Sequence, residues 1–437
     1  MHRIEITGVG SELQGVGRLP DGRAVFVPGA IPGELVEIEI TRDKGRFCEA
    51  SLVAVLSPSP DRIQPACPHY GTCGGCQARH MSYTRTLAFK RQVVYDALTR
   101  IGGLKDPDVS MTLGCDPSDR TRNKAEYPIG MSNGRPVVGV YARGGREIIP
   151  LNDCLLQSPE SIRALNRVSE WLKSFPMASH LKYLVTRTSH TGELMVILSG
   201  DAPMQSELMR YPIDIPNLHS LWYCHLSRRP THALDGRCER LFGNPSFKDR
   251  LFDLDFELSP QSFFQVNRHQ AERLYQTALD AIGIRPGCDL TLLDAYCGAG
   301  TITLSAARYA KSAIGIEIVP PAIENARHNA QLNQITNTRF ICADAAREIP
   351  KILSQGTRFD SAILDPPRKG ADPNLLNALI QSKIPKICYV SCNPATLARD
   401  LRPLTQNHYH LQSAHPIDMF PWTGHVETVV LMSRVKD

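Results

Sequence analysis

The sequence has 437 residues, of which 42% are hydrophobic and 21% charged, and its formal net charge is +5. The length suits two to four domains of about 100–200 residues each, and the composition is ordinary for a globular protein with a sizeable core. No uncharged apolar run reaches the ~18 residues that span a bilayer. Residues 1–5 lack the apolar core of a signal peptide. We therefore expect a cytoplasmic protein.

Residues 1–58 are predicted to form short β-strands. Val25 lies in an apolar run, and residues 34–40 alternate polar and apolar side chains as a half-buried strand does. Glycine and proline pairs mark the turns between them. This pattern indicates a small barrel, and residues 57–60, Ser-Pro-Ser-Pro, are then predicted to be a linker.

Positive charge is concentrated in residues 62–105. Seven basic residues and one acidic residue give this stretch a charge of +6, so the rest of the chain is close to neutral. The basic residues are Arg62, Arg79, Arg85, Lys90, Arg91, Arg100 and Lys105, and the acid is Asp96. Such a positive face suits a phosphate backbone, although a solvated helix face is an equally good interpretation of charge alone.

Three cysteines are closely spaced within this stretch. Five residues separate Cys67 from Cys73, and two separate Cys73 from Cys76. Thirteen cysteines, an odd number without a signal peptide, argue against a secreted disulfide framework. The spacing is typical of metal ligands, and by itself it leaves zinc and an iron–sulfur cluster open. A helix is predicted over residues 86–100, and a mixed α+β region over 110–255.

From about residue 290, apolar strands alternate with amphipathic helices, which predicts a doubly wound parallel sheet. Five strands are predicted, at residues 292–296, 313–318, 340–342, 361–365 and 387–391, with helices such as 322–333 and 395–404 between them. Residues 410–416 and 426–432 break the alternation as two strands without a helix between them.

A nucleotide site is predicted at the end of the first of these strands. Gly298 and Gly300 form a glycine turn there, Glu317 ends the second strand, and Asp344 follows the third. The turn allows close approach of a ligand, and the acid is placed to bind ribose hydroxyls. Position 303 is a threonine rather than the third glycine of a pyrophosphate fingerprint, so the pattern favours S-adenosylmethionine.

The fourth strand ends in the sequence Leu364–Gly370, at the edge of the sheet where reacting groups lie in this fold. Methylases that act on the amino group of a base usually have an aromatic residue after the two prolines, and RNA cytosine carbon-5 enzymes tend to have a cysteine. Arg368 occupies this position. The sequence therefore argues against both classes.

The fifth strand ends at Cys392, just before a predicted helix capped by Asn393 and Pro394. The positive end of a helix favours a thiolate. Carbon 5 of uracil is too weakly nucleophilic to accept a methyl group unaided. Addition of a thiolate to carbon 6 turns carbon 5 into the nucleophilic carbon of an enolate. Glu427, at the start of an apolar strand, is the candidate base for the carbon-5 proton, with His425 as a rival.

These motifs together resemble the RNA uracil-5-methyltransferase family, which makes 5-methyluridine in ribosomal and transfer RNA. The resemblance is carried by Ser259–Asn267, Asp294–Thr301, Leu364–Gly370, Ser391–Thr396 and Gly424–Thr428. It implies Cys392 as nucleophile and Glu427 as base. It also implies that Gln265, Tyr296, Glu317 and Asp365 contact S-adenosylmethionine. Many relatives have asparagine at the position of Thr301, where this chain departs from the family pattern.

The resemblance extends to the N-terminal half of the chain. Residues 1–58 are similar to the RNA-binding barrel called TRAM, and we expect a central domain at 59–255 and a catalytic methyltransferase domain at 256–437. In the ribosomal branch of the family the matching cysteines hold a 4Fe–4S cluster, which implies Cys154 as the fourth ligand, with Cys115 as competitor.

The transfer-RNA branch of the family generally lacks both the barrel and the cysteines, so together they imply 23S ribosomal RNA as substrate. We expect the enzyme to be a monomer. Transfer RNA remains the alternative, as does an inactive iron–sulfur protein that only binds RNA. Arg122 and Lys124 are candidate RNA contacts, and solvated surface residues are an equally good interpretation of both.

Overall fold

A computed structural model describes residues 1–435 and divides into two compact units. Unit 1 comprises Met1–Cys115, Pro366–Leu376 and the chain from Tyr389 onward, and unit 2 comprises Asp116–Asp365 and Asn377–Cys388. The domain boundaries predicted at residues 58 and 255 stay a prediction. No helix within residues 1–435 is long and apolar enough to cross a membrane.

Unit 1 begins with a closed five-stranded barrel, as the alternation of residues 34–40 predicts. Its strands are β1 (His2–Val9), β2 (Gly15–Arg18), β3 (Ala24–Val27), β4 (Leu35–Asp43) and β5 (Phe47–Ser57), in the order β1-β2-β3-β5-β4. In β4, Val36 and Ile38 are fully buried while Leu35 and Glu39 are exposed, because successive side chains of a strand point to opposite faces.

The predicted linker after the barrel is held against it. The carboxylate of Glu34 is fully buried, and it accepts hydrogen bonds from the backbone N–H of Ile31 (2.9 Å) and of Ser59 (3.2 Å). The guanidinium of Arg62 pairs with the same carboxylate at 2.5 Å. A buried charge needs this degree of pairing. The Ser-Pro-Ser-Pro segment is therefore anchored through Ser59, while Ser57, Pro58 and Pro60 are exposed as in a linker.

The remainder of unit 1 contains two helices and an antiparallel strand pair. The elements are α1 (Tyr83–Arg100), α9 (Pro394–Thr405), β20 (Tyr409–Ile417) and β21 (Glu427–Arg434). The side chain of Ser82 caps α1 by accepting from the backbone N–H of Arg85 at 3.2 Å. Strands β20 and β21 pair with Ile417 opposite Glu427, which confirms the predicted change from the α/β alternation.

The first part of unit 2 is a seven-stranded sheet with the order β12-β11-β10-β9-β6-β7-β8. Its elements are β6 (Lys124–Ser132), β7 (Arg135–Tyr141), β8 (Ile148–Pro150), α2 (Pro159–Leu172), a 3₁₀ turn (Ala178–His180), β9 (Leu181–Thr188), β10 (Leu194–Gly200), α3 (Gln205–Arg210), β11 (Leu218–Leu226) and β12 (Gly236–Gly243). Helix α2 buries Ala164, Leu165 and Val168 against this sheet. A hairpin of β13 (Phe247–Leu251) and β14 (Leu254–Leu258) follows.

The second part of unit 2 is the predicted parallel sheet. Its elements in unit 2 are α4 (Arg268–Ile282), β15 (Thr291–Asp294), α5 (Thr301–Ala307), β16 (Ser312–Glu317), α6 (Pro320–Leu332), β17 (Thr338–Cys342), α7 (Ala345–Ser354) and β18 (Ser361–Leu364). Helix α8 (Pro373–Ser382) and strand β19 (Lys386–Ser391) come next in the chain. Strand β15 pairs in parallel with β16 on one side and β18 on the other. Ligands bind at such a switch in strand order, and the expected fold class is confirmed.

Candidate active site

The glycine turn lies at the end of β15, beside the end of β16. Gly298 and Gly300 have φ values of 52° and 84°, in the region that favours glycine. A side-chain carbon at Gly300 would come within 3.1 Å of Ala326 and Phe340. The Glu317 carboxylate accepts from the backbone N–H of Gly298 at 3.3 Å. The structure thus brings together the turn and the acid that the sequence singled out.

Two acids of unit 2 lie at this sheet edge, where Asp294 is fully buried and Asp365 is half-buried. Burial, opposed in part by a hydrogen bond from Thr303, raises the pKa of Asp294 to about 6. Burial, and secondarily the charge of Asp294, raises the pKa of Asp365 to about 7. Within residues 1–435 neither carboxyl forms an ion pair with a basic side chain. Because S-adenosylmethionine carries a sulfonium and an ammonium group, these acids and the glycine turn fit it.

The loop that carries Gln265 is held by residues in or next to strands β6 and β9 of the β6–β12 sheet. Asn123 donates to the Gln265 carbonyl at 3.0 Å through its side chain and to the Val266 carbonyl at 2.8 Å through its backbone. Arg187, which is almost fully buried, donates to the Pro260 carbonyl at 3.2 Å and to that of Ser262. These bonds order the loop, and Gln265 is itself buried.

Tyr296 and Asp344 complete the predicted cofactor residues. Tyr296 lies half-buried in the turn after β15. Asp344 is exposed, and its carboxylate caps α7 by accepting from the backbone N–H of Ala346 at 2.9 Å. A helix cap explains an acid at this position without a ligand, so contact with adenine remains a prediction.

In unit 1, Cys392 is half-buried in the turn between β19 and α9. Asn393 caps α9 by accepting from the backbone N–H of Ala395 at 3.0 Å, and Pro394 is the first helical residue, as predicted. The carbonyl of Arg368 accepts from the side chains of Asn393 (3.3 Å) and Thr396 (3.2 Å). The Cys392 turn and the Arg368 segment therefore form one ordered surface.

Glu427 is 5% exposed and is the first residue of β21. The rival base, His425, is exposed, and its Nδ1 lies 3.3 Å from the Arg368 guanidinium. A carboxylate removed from water is a better candidate for a base than an imidazole at the surface beside a cation. This comparison favours Glu427.

A cleft of about 1280 Å³ in unit 1 contains Cys392 in its wall. Its other walls come from barrel strands β1–β3, from one face of α1 and from residues 424–426. The volume exceeds the ~300–1,000 Å³ of a typical small-molecule pocket. Basic side chains along the cleft are Arg18, Arg85, Arg91, Arg100 and Arg368, against the acids Glu12 and Asp96. This setting suits a polyanion.

Two residues of the predicted positive face are corrected by the structure. Lys90 is fully buried on α1 and forms an ion pair with Asp418. Arg79 is 4% exposed, and its guanidinium lies 4.9 Å from the centre of the Trp422 ring. The sequence analysis assigned both residues to the surface because a sequence does not show which side chains they contact in the folded protein.

Comparison with known proteins identifies the family. A family model described as tRNA (Uracil-5-)-methyltransferase matches residues 246–435, and a TRAM domain model matches residues 2–53. An uncharacterized RNA methyltransferase of Clostridium tetani is 37% identical over 449 residues, covering 100% of this chain and 97% of that protein. The chain belongs to the RNA uracil-5-methyltransferase family.

Two further relatives support the assignment. An uncharacterized RNA methyltransferase of Halalkalibacterium halodurans is 37% identical over 94% of this chain and 92% of its own length. The crystal structure of the Pyrococcus abyssi tRNA (uracil-54, C5)-methyltransferase in complex with S-adenosyl-L-homocysteine matches with a TM-score of 0.77 and 26% identity. The match covers 99% of this chain and 100% of the Pyrococcus abyssi chain. The protein is thus an S-adenosylmethionine-dependent RNA methyltransferase with a TRAM barrel.

The predicted metal ligands of this methyltransferase lie in a loop of unit 1 and in unit 2. Cys67, Cys73 and Cys76 are half-buried in unit 1, and the backbone N–H of Gly75 donates to the Cys73 sulfur at 3.2 Å. Cys154 is half-buried in unit 2, and its competitor Cys115 is buried in unit 1. Within residues 1–435, no three potential ligand side chains come together to hold a metal ion. Thiols are ligands of zinc and of iron–sulfur clusters, and a metal centre at these cysteines stays a prediction.

Sequence reasoning missed the contact between Lys90 and Asp418. These residues are 328 positions apart, and no local pattern connects them. Sequence reasoning also gave Asp294 no separate role in the methyltransferase site. The signal was present, because Asp294 is an acid that ends the first strand of the doubly wound sheet.

Proposed function

We propose that the protein methylates carbon 5 of a uridine in 23S ribosomal RNA through a covalent adduct with Cys392. The thiolate adds to carbon 6 of the uracil, and the electron pair moves to carbon 5 as an enolate. Carbon 5 then forms a bond to the methyl group of S-adenosylmethionine, which leaves as S-adenosylhomocysteine. Glu427 removes the carbon-5 proton, the double bond between carbons 5 and 6 reforms, and the thiolate is released.

The observation that carries this proposal is the placement of Cys392 in the wall of a large basic cleft, at the start of a capped helix. The helix N-terminus favours the anionic form of a thiol. Glu427 lies in the same unit, almost removed from water. In this scheme Gln265, Tyr296, Gly298, Gly300, Glu317, Asp344 and Asp365 of unit 2 bind the methyl donor.

Replacement of Cys392 tests the mechanism. Cys392→Ala should lower turnover by about 10⁴-fold or more, because a nucleophile acts as a unit with the rest of the site, and RNA binding should survive. Cys342→Ala, which removes an exposed thiol, is the matched control and should retain activity. RNA containing 5-fluorouridine should give a denaturation-resistant adduct with the parent protein, since fluorine cannot leave as a proton. Normal methylation by Cys392→Ala would refute the covalent route.

The RNA substrate is supported by the cleft and by an exposed aromatic residue. Phe263 is 75% exposed beside the Gln265 loop, and aromatic side chains of this kind stack on unpaired bases. A uridine within folded RNA must also be extruded before its carbon 6 can meet a thiolate. Arg122 and Lys124 are weaker candidates for RNA contact, because Lys124 already pairs with Glu126 at 2.7 Å.

Transfer RNA is the second candidate substrate. The Pyrococcus abyssi tRNA (uracil-54, C5)-methyltransferase matches this chain from end to end, so the architecture by itself is compatible with either RNA. Methylation of 23S ribosomal RNA and of transfer RNA transcripts in vitro, with the modified positions mapped, decides between them. Methyl transfer only to transfer RNA would overturn the ribosomal assignment and leave the chemistry intact.

We also propose that Cys67, Cys73, Cys76 and Cys154 bind a 4Fe–4S cluster, supported by the spacing of the first three and by the N–H···S bond to Cys73. Protein purified without oxygen should be brown, contain about four iron atoms per chain, and lose its visible absorption on Cys73→Ser. A colourless protein with stoichiometric zinc would overturn this proposal.

We further propose that the enzyme acts as a monomer in the cytoplasm, where its RNA substrate and methyl donor occur. Light scattering during size-exclusion chromatography should give a mass near 48.4 kDa. A mass of twice this value would contradict the monomer.

A further inference from the structure

Residues 418–426 form the loop that joins β20 to β21, and we refer to them as the 418–426 loop. The strand residues at its two ends, Ile417 and Glu427, are direct partners across the antiparallel pair. Asp418 is thus the first residue after the partner of Glu427. Whatever fixes this end of the loop also fixes the start of β21, where the proposed base lies.

Helix α1 holds this end of the loop through a buried charge pair. The Lys90 ammonium contacts the Asp418 carboxylate and donates to the Phe420 carbonyl at 3.0 Å. The Tyr83 hydroxyl donates to the second carboxylate oxygen of Asp418 at 2.6 Å. Both charged side chains are fully buried. Since desolvation commonly cancels the attraction within such a pair, stability alone explains it poorly, and a fixed geometry explains it better.

The other end of the loop is held by the residues that follow the cysteine loop. The backbone N–H groups of Gln77 and Ala78 both donate to the Trp422 carbonyl, at 2.9 and 3.1 Å. The backbone N–H of Gly424 donates to the Gln77 side chain at 3.3 Å. Trp422 has a φ of 65°, which is rare for a bulky residue and persists only where the surroundings impose it.

From these contacts we propose that Lys90 and Asp418 are positioning residues for Glu427. They hold the 418–426 loop so that the Glu427 carboxylate meets the proton on carbon 5 of the methylated uracil. This inference rests on the proposed function. Proton removal follows methyl transfer, so a displaced Glu427 slows only the second step, and the covalent RNA adduct that carries the new methyl group accumulates.

The double variant Lys90→Met/Asp418→Asn tests the proposal. It removes both charges together and therefore avoids a buried unpaired charge. We expect release of the adduct to slow by about 10- to 100-fold, because a displacement near 1 Å costs about that much. Adduct formation should change by less than about threefold. The readout is a time course of denaturation-resistant complex between labelled RNA and protein, with the methyl group labelled separately. Tyr83→Phe should give a smaller effect in the same direction.

Two reference variants make the result decisive. Glu427→Gln should accumulate the same methylated adduct. The double variant Lys182→Met/Asp201→Asn removes an ion pair of unit 2 that lies outside every proposed site, and it should leave adduct release unchanged. If Glu427→Gln accumulates adduct and Lys90→Met/Asp418→Asn does not, the positioning role is refuted while the covalent mechanism stands. If neither Glu427→Gln nor the parent protein with 5-fluorouridine RNA gives an adduct, the proposed function itself fails.

Discussion

One buried acid of unit 1 and two acids at the glycine turn of unit 2 are neutralised in opposite ways. In unit 1, Asp418 is fully buried against the Lys90 ammonium and the Tyr83 hydroxyl. In unit 2, Asp294 and Asp365 lie at the glycine turn without an ion pair to any basic side chain within residues 1–435, and burial raises the pKa of each toward neutrality. The chain itself supplies the cation for Asp418, whereas the two acids at the glycine turn are left for a cation from outside.

This difference distinguishes an acid that holds its own chain from an acid that is open to a cationic ligand. A buried carboxylate with a built-in cation fixes a backbone segment. A buried carboxyl without one is a cost to the fold that binding of a cation can offset, and strongly shifted acids in clefts are typical of functional sites. We therefore expect Asp418 and Asp365 to respond in opposite directions to neutralisation.

The largest effect is expected for Asp418→Asn. The substitution leaves the Lys90 ammonium buried without a counter-charge, which should cost about 3–5 kcal/mol of unfolding free energy. Urea unfolding near neutral pH measures it. Lys90→Met/Asp418→Asn should recover most of the loss, and an unchanged stability for the single variant would show that Lys90 finds another partner.

Asp365→Asn should have the opposite effect on stability. Burial raises the pKa of Asp365 to about 7, so ionisation opposes folding, and stability is lost as the pH rises from about 4 through about 7. Near pH 8 the variant should be more stable by about 2 kcal/mol, with the pKa shift discounted for partial exposure. Near pH 4 the two proteins should be equal. A variant that is less stable near pH 8 would contradict the comparison.

The same acid should make binding of S-adenosylmethionine dependent on pH. The ionised carboxylate attracts the cationic donor, so Kd should rise as the pH falls below about 7, by up to about tenfold per pH unit. Calorimetry in two buffers of different ionisation enthalpy measures the linked proton. Asp365→Asn should bind more weakly and lose this dependence, and an equal pH dependence in both proteins would assign it to another group.

The smallest effect is expected for Asp344, the exposed acid of unit 2. Asp344→Ala removes the cap of α7 and should cost about 1 kcal/mol. Asp344→Asn retains a capping oxygen and should preserve stability. If the Asp344 carboxylate also contacts the adenine, both variants should weaken binding of S-adenosylmethionine. If both variants bind it as tightly as the parent protein, Asp344 serves only as a helix cap.

Local signals in the sequence predicted much of the fold and several site residues. The cap at Asn393, the turn at Gly298 and Gly300, and the parallel strands from β15 onward all depend on residues close together in the chain. The topology of the β6–β12 sheet was not predicted, because its order places β6 beside β9, and sequence periodicity carries no information about which strands pair.

By itself, the sequence determined the barrel pattern, the doubly wound sheet, the family motifs and the residue types available for chemistry. Only the tertiary structure decided that Lys90 pairs with Asp418, that Glu34 holds the segment after the barrel, and that Cys392 lines a basic cleft. The physical reason is that periodicity and capping act over a few residues, whereas burial of a charge depends on partners that the folded chain brings from hundreds of residues away.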